Sequence, residues 1–257
     1  MIVRYSNINH TDFAKHVRFA SEPSVFSHTI AEPTTNLGNF VMSGFKKHYL
    51  ILAIALQCLI GSALGLVFSP SDLELIQKKY GSDAYQRFIA WQNLTNQVEG
   101  LSDLDKLKRV NDFFNQNTTF IPDNALWQKD DYWATPSEFL ARGGGDCEDY
   151  SIAKYFSLVE MGVDENKLRI TYVTAVKLNQ AHMVLTYYAA TDQTPLILDN
   201  LMPTILPATQ RSDLVPVYSF NGSSLWLARS QASGTPDSNA DRLSIWLDLK
   251  KRLTEIP

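Results

Sequence analysis

The spacing of apolar residues changes at Gly162, and this change constrains the fold more than any other feature of the chain. Before Gly162, apolar residues recur at helical intervals, for example at Leu107, Val110 and Phe114. After it, short segments rich in β-branched and aromatic residues alternate with turn residues, a pattern typical of strands. Helices followed by strands predict an α+β domain in which the strands form an antiparallel sheet.

The predicted elements have clear local signals. A Ser-Pro-Ser-Asp start predicts helix over most of residues 69–100, and Thr135-Pro136-Ser137-Glu138 is a capping box that begins a short helix. Residues 118–131 are predicted to be irregular. Further helices are expected at 102–117, from Cys147 to about Gly162 and at 239–256, and strands at 168–176, 181–188, 196–199 and 215–220.

An uncharged run at residues 49–68 divides the chain. Lys46 and Lys47 precede it, and Ala63 and Gly65 stand at the small-residue positions of a cleavage site. We interpret residues 42–65 as a secretory signal peptide and 66–257 as the exported domain. Residues 1–41 are expected to be a non-native or unstructured extension. The alternative is that the run is an uncleaved membrane anchor, which its length also allows.

The charge of the chain excludes one class of partner. The formal net charge is −4, and residues 66–257 carry 18 basic and 24 acidic side chains. Basic residues form only short runs, such as Lys46-Lys47, so we expect no nucleic-acid surface.

Cysteine and histidine are scarce in the exported domain. The chain has two cysteines and five histidines, and only Cys147 and His182 follow residue 65. An intramolecular disulfide is therefore impossible there, and a Cys-His pair could have only these two members. The alternative is a buried, unreactive thiol and a structural histidine.

The surroundings of Cys147 favour a reactive thiol. It follows the glycine loop Gly143–Gly145 and begins a predicted helix, where the helix dipole lowers a thiol pKa. His182 on one strand could act as its base, and Asp199 at the end of the next strand could orient the imidazole. The backbone N–H of Cys147 is a candidate oxyanion donor, with Trp133 as a candidate second donor.

Three acidic residues surround this thiol. Asp146, Glu148 and Asp149 could be helix caps, since acidic residues are common at helix N-termini. They could instead collect a hard cation, most naturally Ca²⁺, with Asp130 and Asp131 as further ligands. The cluster alone leaves both interpretations open.

Four motifs resemble one known family. DYWATPSEFLARGGGDCEDYSIAKYFSLVEMG, QAHMVLTYY, PLILDN and QRSDLVPVYSFN follow one another in the chain. Together they resemble the bacterial transglutaminase-like cysteine proteinases of the periplasm. The resemblance implies a papain/transglutaminase-like fold and a catalytic triad of Cys147, His182 and Asp199.

The same resemblance implies a biological role. It implies calcium bound beside the nucleophile by Asp146, Glu148 and Asp149. It implies a periplasmic enzyme that cleaves the N-terminal region of a large surface adhesin at a di-alanine site, which releases the adhesin and disperses the biofilm. An inner-membrane receptor for cyclic di-GMP would sequester the protease. Two alternatives remain: a transglutaminase or amidase that uses the same triad, or a catalytically dead binding module.

Overall fold

The computed structural model describes residues 68–227 and 236–257. The predicted extension 1–41 and signal peptide 42–65 lie outside the described residues, as do the first two residues of the predicted exported domain. Within the described ranges, no helix combines the length and the apolar character needed to cross a membrane.

Three helices open the described chain: α1 (Pro70–Tyr80), α2 (Ser82–Asn96) and α3 (Asp103–Asn117). Ser69 and Ser102 are the N-caps of α1 and α3, and both form capping boxes with an aspartate three residues later. The chain breaks between α1 and α2 at Gly81, whose φ of 90° suits glycine.

The segment between α3 and Cys147 has more regular structure than predicted. It contains a two-residue strand, β1 (Thr119–Phe120), and a one-turn helix, α4 (Asp123–Leu126), where the sequence predicted irregular chain. The predicted capping box at Thr135 begins α5 (Pro136–Arg142). A second short strand, β2 (Gly144–Gly145), then pairs in parallel with β1.

Helix α6 (Cys147–Glu160) is the central helix of the domain. Its buried residues include Ile152, Tyr155 and Leu158, and it packs against the main sheet on one side and α3 on another. The helix begins at Cys147, as predicted, and ends just before Gly162, which has a φ of 78°.

The second half of the described chain forms the predicted antiparallel sheet. Its seven strands are β3 (Leu168–Ala175), β4 (Gln180–Tyr187), β5 (Leu196–Leu198), β6 (Leu206–Pro207), β7 (Leu214–Phe220), β8 (Ser224–Leu227) and β9 (Ser238–Asn239). They lie in the order β6-β5-β4-β3-β7-β8-β9, and each neighbouring pair is antiparallel. Three short strands, β6, β8 and β9, were not predicted.

The last helix is shorter than predicted. A 3₁₀ turn at Ala240–Arg242 precedes α7 (Ser244–Arg252), in place of one helix over 239–256. Trp246 is fully buried and stacks on Phe156 of α6, with ring centroids 5.5 Å apart. Helices and sheet thus share one core, and the predicted α+β class is confirmed.

Candidate active site

The glycine loop is fixed by its parallel pairing with β1. Thr119 pairs with Gly144 and Phe120 with Gly145, and the Ile121 N–H donates to the Gly145 carbonyl at 2.8 Å. A Cβ at Gly144 would collide with the Thr119 carbonyl, so the two strands can approach only because this residue has no side chain. The pairing of the glycine loop with β1 therefore fixes the position at which α6 begins.

Cys147 occupies the first position of α6 and is partly exposed. Burial raises the pKa of its thiol, as do the nearby Glu148 and Asp146 carboxylates, whereas a hydrogen bond from the backbone N–H of Met183 lowers it. The thiol donates to Glu148 Oε2 at 3.0 Å. Since Met183 adjoins His182 in β4, this contact brings the thiol beside the strand that carries the only histidine after residue 65.

His182 and Asp199 form a direct hydrogen bond. His182 Nε2 lies 2.8 Å from Asp199 Oδ1, and both side chains are buried. An ionised carboxylate only accepts, so the shared proton belongs to Nε2, and Nδ1 is the ring nitrogen left for the thiol. The predicted neighbourhood of these two residues on adjacent strands is present in the structure.

Asp199 is held as a carboxylate. Burial alone would raise its pKa, but hydrogen bonds from His182, the Leu201 N–H and Arg211 outweigh this effect and lower the pKa to about 2. Arg211 Nη2 donates to Oδ2 at 2.7 Å, and the Leu201 N–H donates to Oδ1 at 2.9 Å. Arg211 lies in the motif QRSDLVPVYSFN, but the motif alone does not indicate a role for this residue.

A group of carboxylates lies beside the thiol. One oxygen each from Asp123, Asp146 and Glu148 lies within 4.8 Å of the others. Burial raises the pKa of all three carboxyl groups. The charges of neighbouring acids raise these pKa values further, Asp131 acting on Glu148 and Glu148 acting on Asp146 and Asp123, and the pKa of Asp123 reaches about 8. Buried like charges of this kind need either protons or a cation.

The unpaired oxygens of this group fit a hard cation. Asp123 Oδ1 and Asp146 Oδ1 are buried and have no hydrogen-bond partner among the described residues. Oxygen donors and negative charge are what Ca²⁺ requires. Sequence reasoning missed Asp123 because it lies far from Cys147 in the chain. The parallel pairing of Thr119 with Gly144 runs the two segments side by side and so brings Asp123 to Asp146 and Glu148.

Asp149, predicted as a third ligand, is engaged elsewhere. Its Oδ1 accepts from the Ala134 N–H at 2.7 Å, and its Oδ2 accepts from the Asp146 N–H at 3.3 Å. The structure therefore uses Asp149 as a helix cap and places Asp123 in the acidic group instead. Of the two further candidates, Asp130 is exposed, whereas Asp131 is partly buried and close enough to raise the pKa of Glu148.

Trp133, the candidate second oxyanion donor, is buried. Its ring stacks on Phe220 with centroids 5.5 Å apart, and its carbonyl accepts from Arg252 Nη2 at 2.8 Å. These contacts anchor the residue in the core. The first N–H groups of a helix have no partner within it, and the Cys147 N–H at the first position of α6 remains a candidate donor at this site.

Comparison with known proteins identifies the same family that the sequence motifs resemble. Residues 89–227 match the family model described as bacterial transglutaminase-like cysteine proteinase. No curated protein matched in a sequence search. Among solved structures, LapG from Legionella pneumophila is 45% identical, with a TM-score of 0.62 over 71% of this chain and 96% of that chain.

Two further structures of the same Legionella protein are similar. Its calcium-bound form is 44% identical, with a TM-score of 0.61 over 72% of this chain and 99% of that one. Its EGTA-treated form is 45% identical, with a TM-score of 0.63 over 71% and 96%. The similarity therefore covers nearly the whole of the relative.

Proposed function

The chain belongs to the bacterial transglutaminase-like cysteine proteinase family, and from this premise we propose that Cys147, His182 and Asp199 form the catalytic triad of a cysteine endopeptidase. The observation that carries the proposal is the buried hydrogen bond of 2.8 Å between His182 and Asp199. It leaves one imidazole nitrogen for a thiol at the start of a helix, the arrangement that nucleophilic catalysis by cysteine requires.

The chemistry follows from these positions. His182 Nδ1 accepts the thiol proton, and the resulting thiolate attacks the peptide carbonyl carbon. The N–H groups at the start of α6 stabilise the negative oxygen that forms. The imidazolium then protonates the leaving amine, which departs as the acyl-enzyme forms. His182 next takes a proton from water, whose oxygen attacks the acyl carbon and releases Cys147.

We further propose that Asp123, Asp146 and Glu148 bind calcium. The support is the pair of unpartnered buried oxygens in this group and the calcium-bound form of the similar Legionella protein. A bound Ca²⁺ would supply the positive charge that these carboxylates lack. Glu148, which otherwise accepts from the thiol, would then be drawn toward the cation.

The biological role is a further part of the proposal. We propose that the enzyme acts in the periplasm on the N-terminal region of a large surface adhesin, which releases the adhesin and disperses the biofilm. An inner-membrane receptor for cyclic di-GMP would sequester it. These statements depend on the motif resemblance and on the export signal expected at residues 42–65. The formal net charge of −4 and the shortness of the basic runs accord with a protein partner and with no nucleic acid.

The test is cleavage of the N-terminal fragment of a large surface adhesin from the same genome. Purified protein is incubated with this fragment in calcium or in EGTA, beside Cys147→Ala and the matched control Ser137→Ala, and the products are identified by mass. Cleavage that needs calcium and Cys147 supports the proposal. Products that carry an added amine would assign acyl transfer instead, and turnover by Cys147→Ala would refute the nucleophile.

A further inference from the structure

Arg211 forms hydrogen bonds both to Asp199 of the proposed triad and to Asp213, the residue just before β7. Its Nη2 donates to Asp199 Oδ2 at 2.7 Å, while its Nε and Nη2 donate to the two Asp213 oxygens at 3.0 Å each. The guanidinium is almost entirely buried, whereas Asp213 reaches the surface. Both hydrogen bonds to Asp213 come from the fixed fork of the guanidinium, so its plane has one orientation.

The two oxygens of Asp199 have different partners. Oδ1 accepts from His182 Nε2 and from the Leu201 N–H, and Oδ2 accepts from Arg211. Rotation of the carboxylate away from His182 would break the Arg211 contact and leave a buried guanidinium without it. Such a loss is costly because both groups are inaccessible to water.

Arg211 orients the Asp199 carboxylate, which the strand pairing of the sheet does not fix. β5 ends at Leu198, so Asp199 lies beyond the last residue of its strand. Its backbone carbonyl accepts from Asn115 Nδ2 of α3 at 2.9 Å, which fixes the main chain. The carboxylate itself is held at Oδ2 by Arg211 and at Oδ1 by the Leu201 N–H. The other titratable groups that act on Asp199 are His182 and, from α6, the buried Lys154.

We infer that Arg211 is a positioning residue of the proposed triad: it orients the Asp199 carboxylate so that Oδ1 holds the Nε2–H tautomer of His182. The inference rests on the proposed function and deepens it. Arg211 touches neither the thiol nor the substrate in this scheme and acts only through Asp199. The Asp213 carboxylate accepts hydrogen bonds from Nε and Nη2 of Arg211, and these bonds keep the guanidinium in place.

The test combines kinetics with the tautomer of one histidine. Arg211→Met and Arg211→Lys are compared with Arg109→Met, which removes an exposed guanidinium on α3. Nitrogen-15 NMR of histidine-labelled protein reports the tautomer, and His182→Gln identifies the signal. We expect Arg211→Met to lower kcat by about 10- to 100-fold with KM within about twofold, and to reduce the Nε2–H tautomer. Arg211→Lys should recover part of both.

The outcomes separate this inference from the proposed function. Wild-type kcat and an unchanged His182 tautomer in Arg211→Met would overturn the inference. If Arg211→Met loses its near-ultraviolet circular dichroism, Arg211→Lys decides: lowered kcat at unchanged KM supports the inference, and wild-type behaviour overturns it. Full activity in His182→Gln would instead refute the triad itself.

Discussion

The Cys147 sulfur donates a hydrogen bond of 3.0 Å to Glu148 Oε2, an oxygen of the carboxylate group that we propose binds calcium. The thiol and the acidic group are therefore electrostatically coupled. Burial and the charges of Glu148 and Asp146 all raise the pKa of the thiol. Neutralising these carboxylates must lower that pKa and increase the thiolate fraction at neutral pH.

Calcium removal is therefore expected to slow alkylation of the thiol. At pH 7, iodoacetamide should modify Cys147 about tenfold or more faster in calcium than in EGTA, since each pKa unit changes the thiolate fraction tenfold. Mass spectrometry of the Cys147 peptide measures the rate, and Cys147→Ser reports any labelling of Cys58. Equal rates in both buffers would contradict the coupling.

Asp123→Asn should have opposite effects on stability with and without calcium. In EGTA it removes a buried carboxylate whose pKa burial and Glu148 raise to about 8, so the melting temperature should increase. Calcium at a hundred times its Kd should stabilise wild type by about 2.7 kcal/mol, or roughly 5–10 °C in a domain of this size. In Asp123→Asn this increase should be much smaller.

Asp192→Asn, an exposed carboxylate in the turn between β4 and β5, is the matched control. Its melting temperature should follow wild type in both buffers. A full calcium-induced increase in Asp123→Asn would remove Asp123 from the proposed site.

Acid should remove a stabilising contribution of Asp199. Its folded-state pKa is lowered from the usual 3.8 to about 2, because hydrogen bonds from His182, Leu201 and Arg211 outweigh burial. The contribution is present above about pH 4 and is lost as the pH falls toward 2; it amounts to about 2 kcal/mol.

Urea unfolding between pH 5 and pH 2 measures this contribution. The free energy of unfolding of Asp199→Asn should depend less steeply on pH in that window than that of wild type. Identical pH slopes would show that Asp199 carries no such linkage.

Gly145→Ala should disturb the start of α6. The added Cβ would collide with the Asp149 carboxylate, which accepts from the Asp146 and Ala134 N–H groups. We expect a loss of about 1–3 kcal/mol in unfolding free energy and at least a tenfold loss of kcat, since Cys147 would move.

The contrast is Gly100→Ala, where the new Cβ meets no atom within 4 Å. Its φ of 69° should cost about 1 kcal/mol, and kcat should not change. Urea unfolding and steady-state kinetics measure both variants, and equal kcat losses would contradict the proposed role of Gly145.

Local signals in the sequence were enough to predict most of the elements. The cap signals at Ser69 and Thr135 predicted two helix starts, because a capping box forms between residues three apart in the chain. The start of α6 at Cys147 was also predictable from its glycine loop. Boundaries without such a signal, as in the last helix, were less accurate.

Which side chains meet at the site was decided only partly by the sequence. The His182–Asp199 contact could be predicted because His182 lies on one strand and Asp199 directly follows the next strand of the same antiparallel sheet. Asp123 could not be assigned, because only the pairing of β1 with β2 brings it to Asp146. Arg211 likewise reaches Asp199 through the folded chain and not through a local pattern.

The sequence by itself thus determined the helices, the main strands and the scarcity of thiol and imidazole, since these depend on residue type and short-range spacing. The tertiary structure alone decided that Asp149 caps a helix while Asp123 joins the acidic group. The physical reason is that a carboxylate's role depends on which N–H groups or charges lie within a few ångströms, and long-range strand pairing sets those neighbours.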